Sequence, residues 1–258
     1  MKFALTIALG MCAHFSFSKI ESGFNKYELR DMIAICHSYT FLDIYGSDEA
    51  IIPEGYERRF TSETFDLDNK FQVYTKGKTA VFNLRGSTDK KPSWLENFYA
   101  SMIPTKGVIE IGGIEYPYDL KMRKEAAVHG GYVLGITYII TDVIEQIHLL
   151  NAEGIYDIYL TGHSQGAALS QVLKAYLDSE KGDEISELNT FKTYAFASPK
   201  VGNRAFSECY HFKYADGNSF HIVNPKDVVP AMPLTYSDSS LFTRSDLGGL
   251  ICKREERS

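Results

Sequence analysis

Ile158-Tyr159-Leu160-Thr161-Gly162-His163-Ser164-Gln165-Gly166-Ala167-Ala168-Leu169-Ser170 is the stretch whose reading decides the fold. It contains a Gly-x-Ser-x-Gly pentapeptide, Gly162 to Gly166, centred on Ser164. Short patterns of this kind recur by chance, so the setting has to carry the argument. Residues 156–160 are rich in β-branched and aromatic types, as a short buried strand requires. After Ser164 the apolar period changes, and Ala168, Leu169, Val172, Leu173, Tyr176 and Leu177 fall on one helical face. Strand, sharp glycine turn and helix together form the context of a nucleophile elbow. A helix N-terminus directly behind Ser164 favours negative charge developing there. The plainer alternative is a strand-to-helix turn with an incidental serine.

Outward from this centre, Tyr132 to Leu150 reads as a long helix with Ile136, Ile139, Ile140, Val143, Ile144, Ile147 and Leu150 inward. Phe71–Thr75 and Thr79–Leu84 are strand-like and joined by Lys76-Gly77-Lys78, which makes a hairpin. Val108–Ile111 and Ile114–Tyr116 flank Gly112-Gly113, a second hairpin signal. Phe191–Ala197 and Ser219–Val223 are further strands, and Tyr27 to Asp43 has helical spacing. Residues 46–66 read mostly as loop. Strands alternating with helices argue for an α/β sheet, mainly parallel, with an antiparallel N-terminal hairpin.

The chain of 258 residues is 44% hydrophobic and 23% charged, which suits one large domain with a substantial core. Its formal net charge of −6 and the lack of a dense Lys/Arg stripe argue against nucleic-acid binding. Lys2 followed by the apolar run Phe3 to Phe17 reads as a secretory signal over residues 1–18, which implies a secreted or periplasmic protein. The domain then runs over residues 19–258. Cys36, Cys209 and Cys252 are widely spaced, so neither a disulfide framework nor a zinc site is indicated.

An acyl-transferring serine needs a base, an acid to orient it, and donors for the oxyanion. Asp227 follows the strand Phe220-His221-Ile222-Val223, where a triad acid of this chain order would stand. Several blocks then resemble the class 3, or fungal-type, lipase family in order over about residues 70–235. They are Phe82 to Ser87, Ser93 to Phe98, Val128 to Tyr132, Thr161 to Leu169, Ala195 to Asn203 and Val223 to Pro233. The resemblance implies an α/β-hydrolase fold with Ser164 as nucleophile and Asp227 as acid. It also implies an oxyanion hole from the Ser87 and Gln165 backbone N–H groups, with the Ser87 hydroxyl as a helper. A lid containing Trp94, Leu95 and Phe98 follows from the same likeness, with a lipid or ester substrate and lipid-interface contact through that lid. No cofactor or metal is called for, and no oligomeric state is assigned. The family more often has leucine and glycine where this chain has Gln165 and Ala167.

The departure is histidine. The family's base lies downstream of the acid, yet none follows Asp227 before Ser258. His163 belongs to the elbow with its side chain expected to point away from Ser164, His129 reads as a core histidine, and His221 lies within a strand. Three readings stay open: the chain stops short of its base, it is an inactive lipase-like binding or signalling relative, or another group substitutes. A longer native version carrying the base beyond Ser258 is the expectation, with very poor ester hydrolysis by the 258-residue chain.

Overall fold

In the computed structural model, which describes residues 20–88, 101–232 and the backbone of 252–253, the elbow strand lies inside a six-stranded sheet. The strands of this sheet are β1 (Glu57–Thr61), β2 (Phe71–Lys76), β3 (Thr79–Leu84), β8 (Asp157–His163), β9 (Thr190–Phe196) and β10 (Ser219–Ile222), in that order. Pairs β1–β2 and β2–β3 are antiparallel, while β3–β8, β8–β9 and β9–β10 are parallel. The expected hairpin is therefore the antiparallel end of a mainly parallel sheet. Short β4 (Met102–Pro104) pairs with β7 (Ala127–His129), and β5 (Lys106–Ile111) forms the second hairpin with β6 (Ile114–Asp119). The backbone of β11 (Cys252–Lys253) pairs with β5.

Period-two alternation sorts the sheet's side chains to two helical layers. Phe71, Val73, Ala80, Phe82, Leu84, Ile158 and Leu160 face one core, covered by α3 (Gly130–Ala152), α4 (Gln165–Ser179) and α5 (Arg204–Lys213). Tyr74, Val81, Tyr159, Tyr194 and Phe196 face the other, where α1 (Lys26–Cys36) contributes Met32 and Ile35. Helices on both faces of such a sheet make the α/β-hydrolase type of architecture expected from the sequence.

The span Tyr27–Asp43 is two helices, α1 and α2 (Ser38–Tyr45), rather than one. His37 explains the break. Its ring bonds to the Ile33 carbonyl at 2.8 Å, the acceptor that its own N–H would use in a continuing helix, and that N–H goes to Ala34 O instead. Residues 46–66 are not all loop, because β1 occupies 57–61. Glu57-Arg58-Arg59-Phe60-Thr61 is a charged, largely exposed edge strand, so no apolar alternation announces it.

A strap at the amino end crosses the far side of the sheet. Buried Lys192 donates to Glu28 Oε2 at 2.6 Å and to the Glu21 carbonyl at 2.8 Å. Tyr194 OH also donates to Glu28 Oε2 at 2.8 Å, and Gly23 N–H reaches Gly217 O at 2.9 Å.

Asp48 anchors the connection after α2. It accepts from Ser38 Oγ at 2.6 Å, Arg58 Nη1 at 2.7 Å and Tyr74 OH at 2.9 Å. Burial by itself would raise this carboxyl, but the Ser38 and Tyr74 bonds and the Arg58 charge outweigh it and hold it below the ordinary carboxylate range. A depressed carboxylate contributes stability that is fully present above its unfolded value of about 3.9 and lost as pH falls through the folded value. Asp48→Asn should therefore cost about 2 kcal/mol at pH 7 and cost less as the pH falls below about 4. Thermal melts between pH 2.5 and 7 check this, and an equal deficit at every pH would contradict it.

Candidate active site

The parallel strands deliver the sequence-derived site residues to one end of the sheet. β8 runs to His163 and α4 begins at Gln165, so Ser164 alone forms the turn. Its φ of 56° and ψ of −124° are a strained backbone conformation for a side-chain-bearing residue. The strain is held in place from both sides. Ser164 N–H bonds to Phe196 O of neighbouring β9 at 2.9 Å, while Ser164 O accepts from Ala167 and Ala168 N–H at 3.0 and 3.2 Å. The side chain is half-buried at the head of α4, whose dipole favours negative charge beside it.

Two glycines allow this turn to close. A Cβ on Gly162 would overlap the Gly166 backbone, and one on Gly166 would overlap the Leu84 carbonyl and stand 2.9 Å from the Arg85 carbonyl. The elbow helix thus rests directly on the end of β3, with no side chain between.

Beyond Leu84 the chain turns through Arg85-Gly86-Ser87-Thr88 alongside the elbow. A Cβ on Gly86 would stand 2.7 Å from the His163 carbonyl, so this loop also lies against the elbow backbone. Asp68 clamps the loop at two points, pairing with Arg85 Nη2 at 3.0 Å and accepting from Thr88 Oγ1 at 2.6 Å. Arg85 N–H is tied to Lys70 O at 2.9 Å. The Ser87 hydroxyl donates to Gln165 Oε1 at 2.7 Å, so loop and helix are joined at the two residues expected to supply oxyanion donors. Asp68 was absent from the sequence-based site. It lies in a plain Asp-Leu-Asp segment, and its role follows from a contact across 17 residues, not from any local pattern.

Asp227 lies after β10 in a loop built from its own side chains. Asn224 O accepts from Asp227 N–H at 2.9 Å, Asn224 Oδ1 from Lys226 N–H at 3.0 Å, and Asp227 Oδ1 from Val229 N–H at 2.9 Å. A bond from Lys200 N–H to Met232 O at 2.8 Å holds this loop against the Ser198–Asn203 segment. Asp227 is close enough to the elbow for its charge to act on His163. Burial pushes the His163 imidazole down, the neighbouring His37 adds to this, and Asp227 opposes both.

Among the described residues no imidazole hydrogen-bonds to Ser164 Oγ. His129 is fully buried and stacks on Tyr132 at a centroid distance of 4.1 Å, which fits the core histidine expected there. His221 sits in β10 beside Ala195. Burial lowers its imidazole, and the Ser198 backbone opposes this. The expected lid residues Trp94, Leu95 and Phe98 lie outside the described residues. Where the chain re-enters, Ser101 O accepts from Gly130 N–H at 2.8 Å and β4 begins directly after it. Among the described residues no cluster of metal-ligating side chains occurs.

Chemically, the arrangement presents a strained serine at a helix N-terminus, a backbone loop packed on the same turn, and a carboxylate in the loop that follows the next strand but one. Comparison with known proteins gives this geometry a family. Residues 66–237 match the family model described as lipase (class 3). Over 94 residues the chain is 34% identical to the secreted mono- and diacylglycerol lipase A of Penicillium cyclopium, covering 36% of this chain and 28% of that lipase. A fungal lipase solved as an inhibitor complex superposes with a TM-score of 0.57 at 22% identity, covering 80% of this chain and 74% of that one. A triacylglycerol lipase whose catalytic centre is a serine-protease triad gives 0.56 at 21% identity, with the same coverage. At these identities the superpositions speak to the fold alone.

Proposed function

Because the chain belongs to the class 3 lipase family, we propose that it is a serine carboxylic-ester hydrolase acting on acylglycerols or related lipid esters. Ser164 attacks the ester carbonyl, and the tetrahedral oxyanion is taken by the Ser87 and Gln165 backbone N–H groups. Asp227 orients the imidazole that accepts the Ser164 proton and returns it to the leaving alcohol. The observation that carries this reading is Ser164 at φ 56°, poised between a helix N-terminus and a loop whose Gly86 rests on the elbow backbone. A lipid-facing lid over Trp94, Leu95 and Phe98 and an extracellular location after removal of residues 1–18 belong to the same reading. The secreted lipase of Penicillium cyclopium supports the second of these.

A second reading is a lipase-like module that binds lipid without cleaving it. It is favoured by one observation, the lack among the described residues of an imidazole bonded to Ser164. Hydrolysis of monoacylglycerol and tributyrin emulsions, measured beside Ser164→Ala, separates the two. Turnover above the alanine blank supports the hydrolase. Sedimentation with lipid droplets at zero turnover would replace it with the binding module.

A further inference from the structure

Period-two alternation in β10 splits its side chains between the two helical layers. Phe220 packs on Tyr194 and Phe24 in the smaller core, at centroid distances of 5.2 and 5.6 Å. Ser219 and His221 therefore face the opposite layer, where α5 covers the sheet. There Tyr210 OH and Ser219 Oγ form a hydrogen bond of 3.0 Å. A cleft of about 350 Å³ opens beside this pair, bounded by α5, residues 199–202 and Pro230 of the Asp227 loop. His211 from the last turn of α5 and His221 from β10 both line it. Among the described residues that line it there is no aspartate or glutamate, although the whole chain carries a formal net charge of −6. Val201, Phe206 and Pro230 supply an apolar wall.

We propose that this cleft is a second ligand site, separate from Ser164, for the carboxylate of a medium-chain fatty acid. A carboxylate only accepts hydrogen bonds, and an imidazole offers it one N–H when neutral and two when protonated. The alkyl chain matches the apolar wall, and the volume falls within the ~300–1,000 Å³ usual for small-molecule pockets. The one acid of α5, Glu208, is paired with Arg123 at 3.0 Å and Arg204 at 2.7 Å, so it does not balance the imidazoles. From α4 the cleft receives only the uncharged Gln171, whose amide donates to Ser198 Oγ at 2.8 Å. Lys200 borders the cleft as well, with its backbone N–H given to Met232 O, and the anion is assigned to the two imidazoles. Burial holds the His221 imidazole below its ordinary value, and a bound anion would favour its protonation. The site stands on this geometry, and only the source of the acid, ester hydrolysis at Ser164, rests on the reading above. Because Pro230 lines the cleft, acid held here would lie against the loop that carries Asp227.

Sodium octanoate titrated into the wild-type chain by calorimetry tests the site without reading turnover. Binding is expected to be about tenfold tighter at about pH 5.5 than at about pH 8, because imidazoles gain charge across that window while lysine does not and an alkyl carboxylate stays ionised. His211→Gln and His221→Gln should each weaken binding about tenfold at the lower pH, and together they should remove its pH dependence. Octylammonium, the same chain with the opposite charge, should not bind, and inorganic phosphate, an anion without a chain, should bind more weakly. In the wild-type NMR spectrum the His211 and His221 ring signals should move on adding octanoate, a readout that needs no variant to fold. Binding unchanged in the double variant would place octanoate elsewhere and overturn the proposal. Octylammonium or phosphate binding as tightly as octanoate, or ring signals that stay in place, would do the same. Octanoate bound here by a protein that cleaves no ester would keep the site and overturn only the hydrolase reading.

Discussion

Ser164→Ala is expected to abolish fluorophosphonate labelling and to cut ester turnover by at least about 10³, the scale seen when a triad serine is removed and only binding and oxyanion contacts remain. The fold should survive, because the Ser164 side chain caps nothing and the backbone bonds to Phe196 O and from Ala167 and Ala168 N–H do not involve it. Alanine meets the same strain at φ 56° as serine does, so the substitution changes the chemistry and leaves the turn as strained as before. Intact mass after labelling gives a direct reading. A phosphonyl adduct on the alanine variant at the wild-type rate would place the reactive hydroxyl elsewhere and remove the basis for the site.

Gly166→Ala should be the most damaging single methyl group in the domain. The added carbon would overlap the Leu84 carbonyl and crowd the Arg85 backbone at 2.9 Å, and neither is a flexible side-chain end that could swing aside. Either α4 lifts from the end of β3 or the loop from Arg85 to Thr88 shifts outward. A rigid overlap of this kind costs about 3 kcal/mol or more, about 6–12 °C in Tm for a domain of this size. Because the elbow and the Ser87 loop separate together, labelling of Ser164 should fall along with stability. Calorimetry of purified Gly166→Ala beside wild type decides the point, and a Tm within 1–2 °C of wild type would mean that helix and strand approach less closely than described.

The elements legible in the sequence were those whose period is imposed by a buried face. α3 and α4 lie against the large core, so their apolar residues repeat at 3.6, and β8, buried on both faces, shows itself as a run of β-branched and aromatic residues. The hairpin of β2 and β3 was legible for the same reason. What stayed hidden had little core to report. β1 is a charged edge strand, and α5 buries chiefly Phe206 and Tyr210, two contacts in ten residues. His37 broke a helix through a ring-to-carbonyl bond that no periodicity can show. At the site, the Gly-His-Ser-Gln-Gly motif located the turn, and Asp227 could be placed by its position after a strand. The Asp68 clamp and the Ser87–Gln165 bond join residues 17 to 78 positions apart, and such pairings exist only once the sheet has brought the strands together.

The strap held by Lys192 and Tyr194 sets an order of events during synthesis. Glu21 and Glu28 leave the ribosome early, yet the lysine that anchors Glu21 lies 171 residues further on. At about 5–20 residues per second, that separation leaves the segment without its anchor for about 10–30 s. For this interval residues 21–28 lack the lysine that holds them in the folded protein and are open to whatever machinery handles nascent polypeptides.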